Sequence, residues 1–418
     1  MHGAVIGSGI AGIAMAHALR RAGITVDLLE REPEARSTGY QLNVLANGMY
    51  ALSKIGLLEA LRASGFGAPL RSAPIVDGRS GVVVRSFPVP GVDTEYAPSS
   101  FYRGDLHRAL LDGLDGEPPE CGRAVVGVRD RAEDPKVEVT FRGGVARFFD
   151  FVVGADGAYS EVRTLLFPDR PGYDPRFRAL LFAAHVDLDG GAEAERRFAE
   201  QLRRGEFVQL GGPATAVVLS AAGGHRFGVI LTQLTEDFAR DVSSPDQARE
   251  LARRVVASFA DPRVHYAVER AFWEAGNPLV WHVGDIAPLP AFHVGRVALA
   301  GDAAHAMIPV VGQGANQSFE DAMVLARELG AVSAAEGSLP VEIQAALRRY
   351  SAERQPHVAR IQKEARRRLS AMGSKSALGY RVGNLVLRLL PQRMLDRFEN
   401  HVLKYAIGDP QCSIERLA

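Results

Sequence analysis

GAVIGSGIAGIAMAHALRRAGITVDLLE, residues 3–30, is the stretch that decides the fold. It opens with a short apolar run at 3–6 and passes through Gly7-Ser8-Gly9-Ile10-Ala11-Gly12, a G-x-G-x-x-G loop. An Ala-rich helical pattern follows from Ile10 to Ala22, with Gly23 as its stop. Thr25 to Glu30 then reads as a second buried strand. Strand, helix and strand within thirty residues predict the first unit of a parallel sheet. The three glycines serve different ends. Gly7 allows the tight turn, Gly9 allows close approach of a pyrophosphate, and Gly12 lets the helix pack on the strand. The helix start offers unpaired N–H groups and its positive dipole end to phosphates. Glu30, 18 residues after Gly12, stands where a carboxylate accepts from ribose hydroxyls.

Composition narrows the class. The 418 residues are long for one domain. Forty-nine basic and 49 acidic residues cancel, so no net field favours nucleic acid or an anionic membrane. Cys121 and Cys412 make no disulfide framework and show no metal-ligand spacing. The apolar stretch 4–19 mimics a secretory signal, but no basic residue precedes it and cleavage would destroy the glycine loop. No segment reaches the roughly 18 uninterrupted apolar residues of a membrane span. A cytoplasmic protein is expected.

Along the chain, helices are expected at 46–63, 104–114, 314–330 and 340–370, with helical periodicity again over 376–405. Residues 137–141 and 145–149 flank Gly143-Gly144 as a hairpin. DFVVGADG (150–157) and GRVALA (295–300) read as further buried strands. Between 171 and 285 the texture changes to strand-like segments at 179–186, 206–211, 215–221 and 226–232, with one helical stretch at 245–259. That predicts a second, mostly antiparallel sheet. With no low-complexity linker, the two units are interleaved: 1–70, 101–170 and 286–370 in one, 71–100 and 171–285 in the other, then a helical segment over 371–418.

Two later segments decide what the glycine loop serves. Gly301-Asp302 follows the strand at 297–300, and Pro309-x-x-Gly312-Gln313-Gly314-x-Asn316 enters a helix. A carboxylate at a strand's C-terminal end suits a sugar-like hydroxyl chain, and a glycine turn entering a helix presents N–H groups to an electron-rich ring edge. For FAD these are the ribityl chain and the pyrimidine edge of the flavin. GSGIAG (7–12), VVGADGAYSEVR (152–163) and ALAGDAAHAMIPVVGQGANQSFEDA (298–322) together resemble the class A flavin monooxygenases, the p-hydroxybenzoate-hydroxylase-like superfamily. ALSKIGLLEAL (51–61) and Tyr350-x-x-x-Arg354-x-Pro356 are similar to it too. The resemblance covers the FAD-binding portions, about half of the chain, and is weak over 171–285.

The resemblance implies an α/β fold: a Rossmann-type, GR2-like FAD-binding domain interleaved with a mixed, mostly antiparallel substrate-binding sheet, plus C-terminal helices. It implies tightly bound, non-covalent FAD, with NADPH or NADH as a transient co-substrate that has no Rossmann site of its own. To Gly7, Ser8, Gly9, Ile10, Ala11, Gly12 and Glu30 it adds Arg31, Gln41, Leu42, Arg103, Val126, Asp156, Gly157, Gly301, Asp302, Pro309, Gly312, Gly314, Ala315 and Asn316 as cofactor-binding residues. The implied reaction is insertion of one oxygen atom of O2 into an aromatic or polyketide-like molecule, through a flavin C4a-hydroperoxide. No protein nucleophile or metal is needed for that. A base for a phenolic substrate could be His185, His225 or Tyr266, though a polar residue on a half-buried strand is more often structural. Phe177, Leu181, Phe182, Phe207, Leu210, Phe227 and Leu231 suit either a pocket wall or a core. A FAD-containing, non-redox cyclase or binding protein on the same fold is the other reading. A monomer or homodimer is expected.

Overall fold

The computed structural model describes residues 1–34, 39–131, 133–185, 193–223, 226–234, 239, 242–274, 279–332, 338–372 and 376–391. The chain begins β1 (His2–Ile6), α1 (Ile10–Arg21), β2 (Thr25–Leu29), β3 (Gln41–Val44), α2 (Ala46–Lys54), α3 (Leu58–Ala63), β4 (Ala68–Pro69), β5 (Ser72–Asp77), β6 (Val83–Pro88), β7 (Ser99–Tyr102) and α4 (Arg103–Asp112). Next come β8 (Val125–Arg129), β9 (Val137–Phe141), β10 (Ala146–Phe149), β11 (Phe151–Gly154), α5 (Glu161–Leu166), β12 (Asp174–His185) and α6 (Glu193–Arg203). Then follow β13 (Val208–Gly212), β14 (Thr215–Gly223), β15 (Arg226–Gln233), α7 (Pro245–Val256), α8 (Pro262–Glu274) and β16 (Leu279–Asp285). The last elements are β17 (His293–Val294), β18 (Val297–Leu299), α9 (Asp302–His305), α10 (Gly314–Gly330), α11 (Leu339–Met372) and α12 (Ala377–Leu389).

The four expected buried strands share one sheet, ordered β17-β18-β11-β1-β2, with β18, β11, β1 and β2 parallel. β11 and β18 are continuous apolar runs, as fully buried strands of a parallel sheet read, whereas β1 begins at His2 and β2 carries Thr25 and Asp27. The hairpin β9–β10 forms with β8 a separate three-stranded layer. A third, seven-stranded sheet runs β16-β12-β15-β14-β13-β5-β6. It is antiparallel throughout except where β5 joins β13.

The two faces of this large sheet have different neighbours. Leu180, Phe182, Val208, Leu210, Val217, Leu219, Phe227, Val229 and Leu231 form one buried core with Phe198, Ala248 and Val264 from α6, α7 and α8. The alternate residues point the other way, as the period of a strand requires. There Leu181, Ala179, Val283 and Ile230 pack with Tyr40, which precedes β3.

Three expectations are corrected. The helix at 46–63 is two helices, broken at Gly56, whose φ of +83° is left-handed. Among the described residues, 171–285 carries three helices where one is expected, since α6 and α8 also pack on the large sheet. The candidate pocket aromatics divide: Phe182, Leu210, Phe227 and Leu231 belong to the helix-facing core, whereas Leu181 and Phe177 lie with Tyr40. Met394, Leu395 and Phe398, which carry part of the expected tail periodicity, lie outside the described residues.

Candidate active site

The glycine loop closes as its spacing demands. Gly7 has φ +102°, and a Cβ there would lie 2.6 Å from the Ala155 carbonyl oxygen. A Cβ at Gly12 would lie 1.8 Å from the Gly7 carbonyl oxygen, so α1 docks on the loop itself. Gly9 differs: a Cβ there would meet nothing within 4 Å, which leaves that side of the loop open. α1 has no side-chain N-cap and no acidic residue in its first turn, so its leading N–H groups are not claimed by a side chain. An open glycine before an uncapped helix start fits a pyrophosphate.

Glu30 anchors this loop. Its Oε2 accepts from the Ser8 N–H at 2.9 Å and from the Ser8 hydroxyl at 2.8 Å, and its Oε1 accepts from the Glu32 N–H at 3.0 Å. Burial pushes the carboxyl upward, but the N–H donors of Glu32, Ser8 and Arg31 prevail and hold it below the ordinary range. His107 completes the clamp: its Nε2 donates to the Ser8 carbonyl at 2.8 Å. Burial lowers the His107 pKa, which favours the neutral ring.

At the other end, Gly301 (φ +60°) sits where a Cβ would press Ala11 of α1 at 2.7 Å and Ser318 Oγ of α10 at 2.9 Å. The starts of α1 and α10 therefore converge on the loop that carries Asp302. Gly314, the first residue of α10, would place a Cβ 3.8 Å from Asp302 Oδ1. Helix α10 has neither a side-chain cap nor an acidic first turn. Asp302 is open to solvent on one side, yet protein crowds it on the others. That burial raises its pKa, against the pull of His305, Arg103 and Arg163. An exposed carboxylate beside an uncapped helix start suits a chain of hydroxyl donors.

Arg163 fixes this corner. Its Nη1 donates to the carbonyls of Ala303 (3.1 Å) and Asp302 (3.4 Å), and its Nη2 to that of Ala158 (2.6 Å). Beneath it lies a fully buried network. Arg354 Nη1 donates to Glu320 Oε2 at 2.6 Å, and Arg354 Nε to Asp321 Oδ1 at 2.8 Å. Asp321 Oδ2 accepts from the Gly301 N–H at 2.9 Å and bonds His305 Nε2 at 2.6 Å. Glu320 Oε1 accepts from Asn47 Nδ2 at 2.6 Å, and Asn47 bonds Gln313 in turn. Burial pushes both carboxyls upward, but His305 and Arg354 beside Asp321, and Arg354 and His357 beside Glu320, keep both below their usual values.

Several expected cofactor side chains are occupied elsewhere. Asn316 Oδ1 accepts from the Leu45 N–H at 2.8 Å, while its Nδ2 donates to the carbonyls of Gly312 and Asn43. Only its main chain is left for a ligand, as a residue of the first turn of α10. Asp156 accepts from the Ser160 hydroxyl and from the N–H groups of Glu161 and Val162, so its carboxylate caps α5. Gln41 donates to Asn43 Oδ1 and Ser100 Oγ, which bonds onward to the Ala221 carbonyl and joins β3 to β14. Arg31 points outward beside Glu32. Val126 is exposed at a bulge in β8. Arg103 donates its N–H to the Tyr40 carbonyl and packs against Gly39. Leu42 lies on β3, Gly157 follows β11, Pro309 and Gly312 lie in the turn before α10, and Ala315 is in the first turn of α10.

The candidate bases separate. Tyr266 is not on a strand: it lies on α8 and packs on Phe198, on the sheet face away from Tyr40. His185 closes β12 opposite Arg226; its side chain, and all of His225, lie outside the described residues. Sequence reasoning misses His107 and Arg163, because their partners, Ser8 and the 302–303 carbonyls, are remote in the chain. Among the described residues no group of His, Cys, Asp and Glu could hold a metal ion, and no helix is long and apolar enough to cross a membrane.

The chain matches the family model described as "FAD binding domain" over residues 1–365. The chain belongs to the class A FAD-dependent monooxygenase superfamily. It is 30% identical over 370 residues to a FAD-dependent urate hydroxylase of Klebsiella pneumoniae subsp. pneumoniae, covering 88% of this chain and 89% of that protein. It is also 30% identical over 367 residues to the 3-amino-4-hydroxybenzoate 2-monooxygenase of Streptomyces cremeus, covering 87% and 86%. The crystal structure of Klebsiella pneumoniae HpxO complexed with FAD and uric acid superposes with a TM-score of 0.82 at 26% identity, over 96% of this chain and 97% of that one. A salicylate hydroxylase substrate complex shares the fold, with a TM-score of 0.75 at 21% identity over 100% and 98%. As a member of the superfamily the chain is a FAD-binding protein of the monooxygenase type.

Proposed function

We propose that this chain is an NAD(P)H-consuming hydroxylase of an aromatic or polyketide-like small molecule. The carrying observation is the Asp302 corner: an exposed carboxylate beside the uncapped start of α10, near Tyr40 and the sheet face it packs against. In this reading α1 holds the pyrophosphate, Glu30 the adenosine ribose, Asp302 the ribityl hydroxyls, and the 312–315 main chain the flavin edge. When bound and reduced by NADH or NADPH, the flavin supplies O2 activation and delivery of one oxygen atom to the substrate. The balance is substrate, O2, NAD(P)H and a proton in; hydroxylated product, water and NAD(P)+ out.

The protein's own residues orient and exclude water. Arg163 and the Arg354 network keep Gly301, Asp302 and the 312–314 loop fixed relative to one another. Residues 1–70, 101–170 and 286–370 form the cofactor unit in this reading, and 71–100 with 171–285 the substrate wall. The test is anaerobic titration of the FAD-loaded protein with NADH and with NADPH, with and without phenolic compounds. Bleaching of the flavin absorbance by one nucleotide, faster with a substrate present, is expected. If neither nucleotide bleaches it, the hydroxylase reading fails and a non-redox role takes its place.

A further inference from the structure

The sheet face that looks toward the cofactor unit carries one continuous cross-strand row. Leu181 of β12 pairs with Ile230 of β15, Ile230 with Val218 of β14, Val218 with Gln209 of β13, and Gln209 with Ile75 of β5. Residues paired across strands share a face, and two neighbours identify which face this is. Ile230 and Leu181 cluster with Tyr40, and Gly228, two residues from Ile230, abuts Gln41 so closely that a Cβ would lie 2.5 Å from the Gln41 Cβ. The opposite face, with Val208, Leu210, Val217 and Val229, is closed by α6 to α8.

Within this row Gln209 is the exception. Leu181, Ile230, Val218 and Ile75 are apolar, while Gln209 ends in an amide. Ile230, Val218 and Gln209 are half-buried, and two residues along from Gln209 a Cβ at Gly211 would lie 3.0 Å from Tyr380 Oη of α12, so that helix borders the row at its β13 end. The Gln209 amide makes no hydrogen bond among the described residues, unlike Gln41 on β3, whose amide is committed to Asn43 and Ser100. A partly buried amide in apolar surroundings costs free energy unless something bonds it. Gln209 offers one acceptor and two donors in a plane, which matches the N–H and C=O edge of a lactam or the hydroxyl-and-carbonyl edge of a phenolic ring. It carries no charge, so a substrate carboxylate placed against it on this apolar floor would lose hydration without an ionic partner.

We propose that Gln209 is the specificity-determining residue of the substrate site, and that the site selects a planar, neutral ring system presenting an adjacent donor and acceptor. The ring lies along Ile230 and Val218, and the Gln209 amide reads its polar edge. This inference rests on the hydroxylase reading, but its test requires no turnover.

The FAD-loaded protein is titrated with 2-quinolone, a neutral lactam, and with quinoline-4-carboxylate, and binding is followed by perturbation of the flavin absorbance and by calorimetry. The wild type is expected to bind the lactam at least tenfold more tightly than the carboxylate. Gln209→Leu, which keeps size and removes the amide, should weaken lactam binding about tenfold, the order of one lost hydrogen bond to a site built for it, with FAD content and thermal midpoint unchanged. Gln209→Asn, with the amide withdrawn by one methylene, should fall between. Equal lactam affinity in wild type and Gln209→Leu overturns the assignment of Gln209. Preference for the carboxylate, or no lactam binding at all, overturns the substrate class. Failure of NADH and NADPH to bleach the flavin, with lactam selectivity intact, would instead sink the hydroxylase reading alone.

Discussion

Replacing Arg354 with Met should separate the network under the cofactor cleft from the cleft itself. Arg354 is fully buried and is the guanidinium that both Glu320 and Asp321 bond, at 2.6 and 2.8 Å; it also donates to the Gln317 carbonyl and side chain at 3.1 and 2.7 Å. Removing one partner of a buried ion pair costs roughly 3–5 kcal/mol, because the remaining charge stays desolvated and uncompensated. Against a total stability of about 5–15 kcal/mol for a typical protein, that is a severe loss. The pH dependence carries the sharper test. In the wild type both carboxyls are held below their usual values, so their contribution is present above the unfolded pKa near 4 and fades as pH falls through the folded values. In Arg354→Met desolvation acts unopposed by the guanidinium and raises the folded values, so the penalty grows as pH rises above about 4. Urea unfolding at pH 5 and pH 8 should therefore show the variant's deficit larger at pH 8. Adding Glu320→Gln and Asp321→Asn should recover most of it. A variant within about 1 kcal/mol of wild type at pH 8, well under the expected cost, would refute the reasoning; so would a deficit that deepens toward acid.

Two further outcomes follow from the cleft. Asp302→Ala should purify with weakened or no FAD, and Asp302→Asn should retain more, since the amide still accepts from hydroxyls; wild-type FAD affinity in Asp302→Ala, read by fluorescence quenching, would remove Asp302 from its role. Gly12→Ala places a Cβ 1.8 Å from the Gly7 carbonyl oxygen, so the start of α1 must shift, and FAD affinity should fall by at least tenfold with a lower thermal midpoint.

Local spacing made much of the cofactor unit legible. Gly7, Gly12, Gly301 and Gly312 are required by backbone geometry within a few residues, and that geometry is what the motif spacing encodes. The Asp302 loop could be read in the same way, as a strand end followed by a helix start. Asn316 and Asp156 both lie in the motifs, and only the folded chain shows that their side chains cap and cross-link the neighbouring loops. Tyr266 is expected among the strand residues, yet Val264, Ala267, Val268 and Ala271 recur at the period of a helix and are buried on α8, whose Tyr266 packs on Phe198.

The sequence by itself carried the glycine loop at 7–12 ahead of a helix, the strand end at Asp302 with the 312–316 turn entering a helix, and the expectation of a second, mostly antiparallel sheet, which the seven-stranded sheet meets. These are short-range facts, each carried by chain direction, glycine placement and period. What only the tertiary structure decided is which residues share a surface. Strand register alone aligned Gln209 with Val218, Ile230 and Leu181, and only the packing of α6 to α8 showed which face of that row is left toward the cleft. Likewise His107, Arg163 and Arg354 act on partners 99, 140 and 33 residues away. Such partners are set by how layers stack, and no local pattern in the chain encodes them.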